Sequence, residues 1–291
     1  MRKLTVILAA ALLLVSCADA NRTYVQKAVR IMDKEGLFAE GPEWEKARAD
    51  ALAAQPSSPE EAQELVRTAV KVAGGKHSFL QLKGSVVENA TAEWPAPKVE
   101  KADETIPVIT LPPFSGNPAE GIKYASTVLE AIPDNTKGVI IDLRGNTGGN
   151  MYPMIAAVHR FLPNDDKTLR FRTRKRTQWI PLSFAVQSAG VPQQSRIECP
   201  VAILTDDHTA SSGEATLICF RGLDYVRVFG APTAGYASAN QPCELPGGDH
   251  LVLTVGCDVA RTGEAFCDDP IAPDILTATP LEDALAWLRS F

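Results

Sequence analysis

Apolar positions along the first quarter of the chain follow the spacing of amphipathic helices. Over residues 23–73 they recur every three or four positions, which places them on one side of a helix. Pro42 can open a second helix, and Ser58, followed by a proline and two glutamates, is typical of the N-cap of a third. Gly74 and its neighbour then end the pattern. The sequence predicts a small helical N-terminal domain over residues 17–83.

The spacing changes at Ile106, after which short apolar runs alternate with helical patterns. Strands are predicted at residues 108–111, 138–143, 169–182, 201–204, 226–229 and 251–255, and helices at 119–132, 154–162 and 215–220. Alternation of strand and helix predicts an α/β domain, which we assign to residues 106–291. Residues 84–105 contain prolines and charges without an apolar period, and they are predicted to be a linker.

The N-terminus has the pattern of a bacterial lipoprotein signal. Two basic residues precede an apolar run that ends in Leu-Val-Ser before Cys17, and this run is too short to span a membrane. Residues 1–16 are therefore predicted to be a signal peptide, with lipidation of Cys17. The alternative is a plain secretory signal in which the cysteine is incidental. Ala18 follows the cysteine, and by resemblance to Gram-negative lipoproteins it favours the periplasmic side of the outer membrane.

Charge and cysteine usage exclude several classes of function. The formal net charge of −6 argues against nucleic-acid binding, and the basic residues between 170 and 176 alternate as they would on a solvated strand face. Export permits disulfides, and Cys243, Cys257 and Cys267 lie in a turn-rich segment where a pair could close. No CxxC pattern or nearby histidine pair is present, so no metal site is predicted.

One polar turn combines the features of a nucleophile site. Residues 209–214, Thr-Ala-Ser-Ser-Gly-Glu, follow the apolar run 199–204 and precede the apolar stretch 215–220. This order predicts a strand, a tight turn and a helix, with a serine hydroxyl at the helix N-terminus. Unpaired N–H groups and the helix dipole can hold a developing oxyanion there.

A second loop, at residues 142–150, follows a continuous apolar strand with the sequence Asp-Leu-Arg-Gly-Asn-Thr-Gly-Gly-Asn. Its glycines permit a sharp turn that exposes backbone N–H groups, so it is a candidate oxyanion loop. A plain connection between strand and helix is the alternative. The spacing matches neither of the glycine-rich patterns that bind phosphate.

Four histidines are candidates for a general base: His77, His159, His208 and His250. A single histidine is most often structural, and nearness in sequence is a poor guide because catalytic groups assemble from distant segments. His208 lies three residues before Ser211, yet its ring need not point towards that hydroxyl. The residues alone leave the choice of base open.

Three segments in this order resemble the core of the C-terminal-processing (tail-specific) serine peptidases, a family that includes the tricorn core protease. They are residues 142–149, residues 209–214 and the Gly-Ala-Pro-Thr-Ala-Gly of residues 230–235. Residues 273–275, Pro-Asp-Ile, resemble the closing motif of the family. The resemblance covers residues 106–288, and residues 76–79 extend it upstream. It implies a crotonase-like (ClpP/crotonase) α/β core.

The resemblance also implies roles for single residues. Ser211 matches the nucleophile, the N–H of Ser212 matches one oxyanion donor, and Gly148 or Gly149 supplies the other. One branch of the family uses a lysine base directly after residue 235, where this chain has Tyr236. A tyrosine, with an ordinary pKa near 10, is a poor replacement for that lysine, so a serine–lysine dyad is not expected.

The tricorn-like branch instead implies a histidine in the segment that His77 matches. We therefore assign His77 as the general base, with His208 as the second choice. The acid that orients the histidine is assigned to Asp268 or Asp269, ahead of two other acidic residues, Glu264 and Asp274.

The sequence thus predicts an exported, lipid-anchored, serine-type endopeptidase that acts on peptides or unfolded proteins and needs no cofactor. Only about 25 residues separate Leu80 from Ile106, too few for the peptide-binding PDZ module of the processing branch. Two alternatives remain open: an inactive peptide-binding lipoprotein on the same fold, and an esterase that uses the same serine. The natural substrate and the oligomeric state are not predicted.

Overall fold

The computed structural model describes residues 2–85 and 94–291, with side chains described from residue 19 onward. The chain divides into two compact units. One consists of Met1–Thr91 with Ala239–Gly256, and the other of Ala92–Ser238 with Cys257–Phe291. The sequence assigned all residues after 105 to one α/β domain, so the return of residues 239–256 to the N-terminal unit differs from that prediction.

The secondary structure is numbered in chain order. The helices are α1 (Arg2–Glu35), α2 (Gly41–Ala53), α3 (Pro59–Gly74), α4 (Pro118–Ala131), α5 (Met151–Ala157), α6 (Leu182–Ala189), α7 (Ser212–Phe220) and α8 (Pro280–Leu288). The strands are β1 (Phe79–Gln81), β2 (Lys98–Lys101), β3 (Pro107–Thr110), β4 (Val139–Asp142), β5 (Leu169–Thr173), β6 (Thr177–Ile180), β7 (Val201–Thr205), β8 (Val226–Gly230), β9 (Ser238–Glu244), β10 (His250–Val259), β11 (Ala265–Phe266) and β12 (Ile275–Leu276).

The start of α2 and both ends of α3 lie at the residues that the sequence predicted. Proline stands in the first turn of α2, and the Ser58 side chain accepts the N–H of Glu61 at the start of α3. Gly75 ends α3 with a φ of +72°, a conformation that glycine adopts without strain. The helices bury one apolar side each around Met32 and Val66.

A strand completes this unit and explains the return of the chain. β1 pairs antiparallel with the first part of β10, and Leu80 lies opposite Leu251. Leu80, Leu251 and Leu253 are buried in the same apolar cluster as the three helices. The apolar residues at 251–255 predicted the first part of β10. They could not identify β1 as its partner, because strand pairing depends on contacts distant in sequence.

The second unit is built on a sheet with the strand order β12-β8-β7-β4-β3-β2. β3, β4, β7, β8 and β12 run parallel to one another, and β2 is an edge strand that pairs antiparallel with β3. β2 lies within residues 84–105, so the linker prediction was wrong for residues 98–101. Its sequence, Lys-Val-Glu-Lys, is mostly exposed at the sheet edge, which accounts for the missing apolar run.

Successive residues of the central strands face opposite layers. Ile141 and Ile203 pack into the large cluster formed with α4, α5 and α7, whereas Ile140 and Leu204 pack into the smaller cluster with α8. Burial on both faces accounts for the continuous apolar runs that marked β4 and β7 in the sequence.

Residues 169–182 form more than the single strand that was predicted. β5 and β6 pair as an antiparallel hairpin, and α6 begins immediately afterwards. The basic residues of this segment are mostly exposed, as expected for a solvated strand face, and Arg170 stacks over Trp179 at 4.9 Å from the ring centroid. The predicted helix at 154–162 begins earlier, at Met151, because Asn150 caps it.

Cys257 and Cys267 form a disulfide, so a pair closes in the segment where the sequence allowed one. Cys219 is a buried thiol within α7. The backbone of Cys17 belongs to α1, but its side chain lies outside the described residues, as do the side chains of the signal peptide. Among the helices whose side chains are described, none combines the length and apolarity needed to cross a membrane.

Candidate active site

The three sequence motifs meet because of the strand order. β4, β7 and β8 are parallel neighbours, and one motif follows the carboxyl end of each strand. The carboxyl ends of parallel strands lie along one edge of a sheet, where α/β folds place their binding sites. Residues 143–150, 206–211 and 231–236 are therefore gathered at one edge of the second unit.

Ser211 occupies a strained turn between β7 and α7. Its φ of +51° and ψ of −114° make it the one positive-φ residue other than glycine in the described part of the chain. Such a conformation costs about 1–3 kcal/mol and persists only where surrounding contacts enforce it. A sharp turn between a strand and a helix is the geometry that exposes the hydroxyl of a nucleophilic serine.

The candidate oxyanion loop lies directly against this serine. A Cβ placed on Gly148, which has a φ of +101°, would lie 2.7 Å from the Cβ of Ser211 and 3.0 Å from the backbone nitrogen of Ser212. Any side chain at Gly148 would therefore displace the serine turn. The structure brings together three of the residues that the sequence assigned to the site.

Hydrogen bonds fix the two loops against each other. The N–H of Ala210 donates to the carbonyl oxygen of Asn146 at 2.8 Å, and the Ser212 hydroxyl donates to the Gly149 carbonyl oxygen at 2.6 Å. The hydroxyl of Thr209 donates to the Leu143 carbonyl oxygen at 2.9 Å. The hydroxyl of Ser212 therefore serves the loop contact, while its backbone N–H stays available.

The backbone N–H groups around Ser211 differ in what they bind. That of Gly148 donates to the Asn146 side-chain oxygen at 2.9 Å. Those of Gly149 and Ser212 have no acceptor among the residues that the structure describes. Of the two glycines that the sequence left open, Gly149 is the one whose N–H remains available.

Asn146 is a residue that the sequence analysis did not single out. It is fully buried, and its side chain bridges the Gly148 N–H and the Leu111 carbonyl oxygen, the latter at 2.8 Å. An asparagine in a glycine-rich loop carries no signal of burial, so its role becomes evident only when the loop is folded.

Glu214 joins the serine turn to the loop after β8. Its fully buried carboxylate accepts the N–H groups of Ser211 at 2.8 Å, Gly235 at 2.9 Å and Tyr236 at 2.7 Å, and also the hydroxyl of Thr233. Burial raises the pKa of this carboxyl, and the four donors oppose that rise. Through these bonds Glu214 ties two of the three motifs together.

The predicted acids lie beside this same loop. The Thr233 hydroxyl oxygen accepts the N–H of Ile271 at 2.8 Å, and a Cβ on Gly235 would lie 2.7 Å from the nitrogen of Pro270. Asp268 directly follows the disulfide cysteine and is half-buried, whereas Asp269 is exposed.

The two other acids that were considered serve contacts elsewhere. Asp274 accepts the N–H of Val228, within β8, at 2.9 Å. Glu264 pairs with Arg221 at 3.0 Å.

His77 belongs to the N-terminal unit, between α3 and β1. Its carbonyl oxygen accepts the side-chain N–H of Asn240 at 3.2 Å. The adjacent Ser78 is buried; its hydroxyl donates to the Gly74 carbonyl oxygen and accepts the N–H of Thr254 at 2.8 Å. These bonds hold the backbone on both sides of the histidine.

The electrostatic environment of His77 favours the neutral ring. Burial, together with the positive charges of Lys71 and Lys76, lowers the pKa of His77 to about 4. The imidazole is therefore neutral at physiological pH, which is the protonation state from which a general base acts.

His208, the second choice for the base, is differently placed. Its Nδ1 lies 2.8 Å from a carboxylate oxygen of Asp207, and its side chain is 70% exposed. With Asp206 these residues offer ligand atoms within 4.8 Å of one another, the one such group found among the described residues. The Asp206 carboxylate already accepts the N–H of Gly145 and caps the turn, so we assign no metal to this group.

Substituting Gly148 tests the contact between the two loops. Gly148→Ala is expected to lower kcat/KM by at least about 100-fold, the scale of losing an oxyanion donor, because its Cβ would displace Ser211 and Ser212. Gly145→Ala is the matched control, since Gly145 has a similar positive φ but open space around it. Equal loss of activity in the two variants would contradict the contact.

The chain is similar to several known proteins. The model of peptidase family S41 matches residues 105–277. The nisin-resistance protein of Lactococcus lactis is 33% identical over 278 residues, which cover 92% of this chain and 86% of that protein.

Two solved structures share the fold. A lipoprotein from Streptococcus agalactiae superposes with a TM-score of 0.82 at 30% identity, over 93% of this chain and 96% of that one. A photosystem II D1 C-terminal processing protease gives a TM-score of 0.64 at 12% identity, over 92% and 97% of the two chains.

These similarities confirm the predicted fold class, with N-terminal helices and a crotonase-like α/β core. The family match spans more than half of the chain, and it includes the turn that carries Ser211 and the loop that carries Gly148. This chain belongs to peptidase family S41.

Proposed function

We propose that this protein is an exported serine endopeptidase with Ser211 as its nucleophile. The observation that carries the proposal is the strained Ser211 turn, with Gly148 packed against it and the N–H groups of Gly149 and Ser212 left available. Two available N–H groups beside a serine hydroxyl suit the oxyanion of a tetrahedral intermediate. Membership of family S41 supports peptide bonds as the substrate.

In the proposed mechanism His77 takes the proton from the Ser211 hydroxyl as the oxygen attacks the peptide carbonyl. The N–H groups of Gly149 and Ser212 stabilise the oxyanion that forms. His77 then returns the proton to the leaving amine, which leaves an acyl-enzyme on Ser211. Water, activated by the same histidine, hydrolyses the acyl-enzyme and restores the serine.

The pH profile tests the assignment of His77. A base must be deprotonated to act, so kcat/KM is expected to be high above the pKa of His77 and to be lost as the pH falls through about 4. Lys71→Gln with Lys76→Gln removes two charges that lower this pKa, and the acidic limb should move towards higher pH. A limb that stays in place, or activity in His77→Ala within about tenfold of wild type, would contradict the assignment.

Asp268 is proposed as the acid that orients the histidine, ahead of Asp269. Asp268→Asn is expected to lower kcat by between about 100-fold and 10,000-fold, because the amide cannot stabilise the charged imidazolium. Asp269→Asn is the control on the neighbouring, exposed carboxylate and should stay within about threefold of wild type. A larger loss in Asp269→Asn would exchange the two roles.

Attachment to a membrane through a lipid on Cys17 is part of the proposal. The sequence before Cys17 supports it, and so does the similarity to a streptococcal protein described as a lipoprotein. Lactococcus and Streptococcus have no outer membrane, so the outer-membrane location stays a prediction from Ala18.

A relative named for nisin resistance supports peptides as the substrate class.

Turnover experiments separate this proposal from its two alternatives. Purified wild type and Ser211→Ala are compared on a fluorogenic peptide library and on simple esters, with the exposed Ser183→Ala as a control. Loss of peptide hydrolysis in Ser211→Ala, with hydrolysis retained in Ser183→Ala, supports the peptidase. Peptide binding without turnover would favour the inactive lipoprotein, and hydrolysis confined to esters would favour the esterase.

A further inference from the structure

An open groove runs between α2 and α3 on the N-terminal unit, with a volume of about 730 Å³. This volume lies within the range of ligand-binding clefts, about 300–1,000 Å³. Small and apolar side chains form its floor, namely Ala47, Ala51, Ala54, Leu65, Ala69 and Val72. Alanines at facing positions leave room between the helices, because they are too short to fill it.

The rim of the groove is acidic. Glu43, Asp50, Glu61 and Glu64 line it, and all four are exposed. Lys46 is the single basic residue in the lining, and its ammonium pairs with Asp50 at 2.5 Å. Four carboxylates against one ammonium give the lining a net charge of −3 at neutral pH.

We propose that this groove binds a cationic amphipathic peptide helix. The apolar face of such a helix would lie on the alanine floor, and its lysines or arginines would reach the carboxylates of the rim. Helix-in-groove recognition uses this division, with apolar anchors spaced three and four residues apart. Opposite charge along the rim speeds association and disfavours acidic partners.

The same charges argue against an anionic membrane as the occupant. Acidic lipid headgroups attract basic segments, so a rim with a net charge of −3 would be repelled. The site does not depend on the proposed peptidase activity, because binding to α2 and α3 requires no turnover.

A designed peptide provides the probe. It is a fluorescein-labelled helix of leucine and lysine, with leucines at positions i, i+3, i+4 and i+7, compared with a scrambled peptide of the same composition. A third peptide carries glutamate in place of lysine. Fluorescence anisotropy is measured with the Ser211→Ala protein, so that binding is scored without cleavage.

Charge reversal locates the binding. Glu43→Lys with Glu64→Lys is expected to raise the Kd of the basic amphipathic peptide at least about tenfold, with a smaller change at high salt because screening weakens the attraction. Glu45→Lys with Glu60→Lys is the matched control, since both residues are exposed and neither lines the groove. The control double variant changes the net charge of the protein by the same amount. Its Kd for the peptide should stay within about threefold of the Kd of the unsubstituted protein.

The floor has its own variant. Leu65→Gln replaces a half-buried apolar contact and is expected to raise the Kd about fivefold, while circular dichroism verifies that the helices are intact. Equal weakening by the two double variants would overturn the proposal, as would equal binding of the scrambled peptide. Absence of saturable binding, or stronger binding of the protein to anionic vesicles than to the peptide, would also overturn it.

Discussion

Ser211→Gly is expected to abolish hydrolysis and, at the same time, to stabilise the fold. Losing the nucleophile should lower kcat by at least about 10,000-fold. Glycine adopts a φ of +51° without the strain that a serine carries, so the free energy of unfolding should rise by about 1 kcal/mol. Denaturant unfolding and a peptide assay on the same preparation measure both effects.

Two controls separate strain from ordinary helix capping. Ser211→Ala should lose activity equally but gain no stability, because alanine keeps the strained φ. Ser183→Gly, on the exposed face of α6, should lose about 0.5–1 kcal/mol of stability with activity retained. A loss of stability in Ser211→Gly would mean that Ser211 acts as an ordinary cap, and it would remove the structural argument for a nucleophile.

The second large effect is expected at Glu214. Glu214→Gln places an amide NH2 group, itself a donor, either against the N–H groups of Ser211 and Tyr236 or against the Gly235 N–H and the Thr233 hydroxyl. Breaking a buried, charged hydrogen-bond network costs about 3–5 kcal/mol. The Ser211 turn should relax as a result, and kcat should fall at least about 100-fold, because loss of one oxyanion contact alone has that effect.

Glu130→Gln is the control, because Glu130 is exposed on α4 and the same chemical change there should alter stability by less than about 0.5 kcal/mol. Thermal unfolding followed by circular dichroism gives the comparison. If Glu214→Gln unfolds like the control and retains activity, then Glu214 does not hold the serine turn.

The sequence was most informative where local signals and strand order coincide. Continuous apolar runs located β4 and β7, a run interrupted by Arg227 located β8, and the polar segments that follow these strands contain the three motifs. Parallel neighbouring strands place those segments at one edge, so the contact between Gly148 and Ser211 follows from the order of the strands. The N-cap at Ser58 was likewise readable, because capping depends on residues only three positions apart.

Features that depend on distant contacts could not be predicted. The sequence gives no sign that Glu214 binds three N–H groups and a hydroxyl, since its position suggests only a helix first turn. It could not choose between Gly148 and Gly149, because that choice depends on the direction of single N–H groups. β2 was missed because an exposed edge strand needs no apolar alternation.

Reaction with a fluorophosphonate reports whether Ser211 is a nucleophile. Such a reagent forms a stable bond with a serine that is activated by a base and an oxyanion hole. The labelled residue is identified by mass spectrometry of the digested protein, and the labelling rate is compared between wild type and His77→Ala. We expect one adduct, on Ser211, that forms at least about 100-fold more slowly in His77→Ala. No adduct, or an adduct on any other residue, would contradict the assignment of Ser211 as the nucleophile.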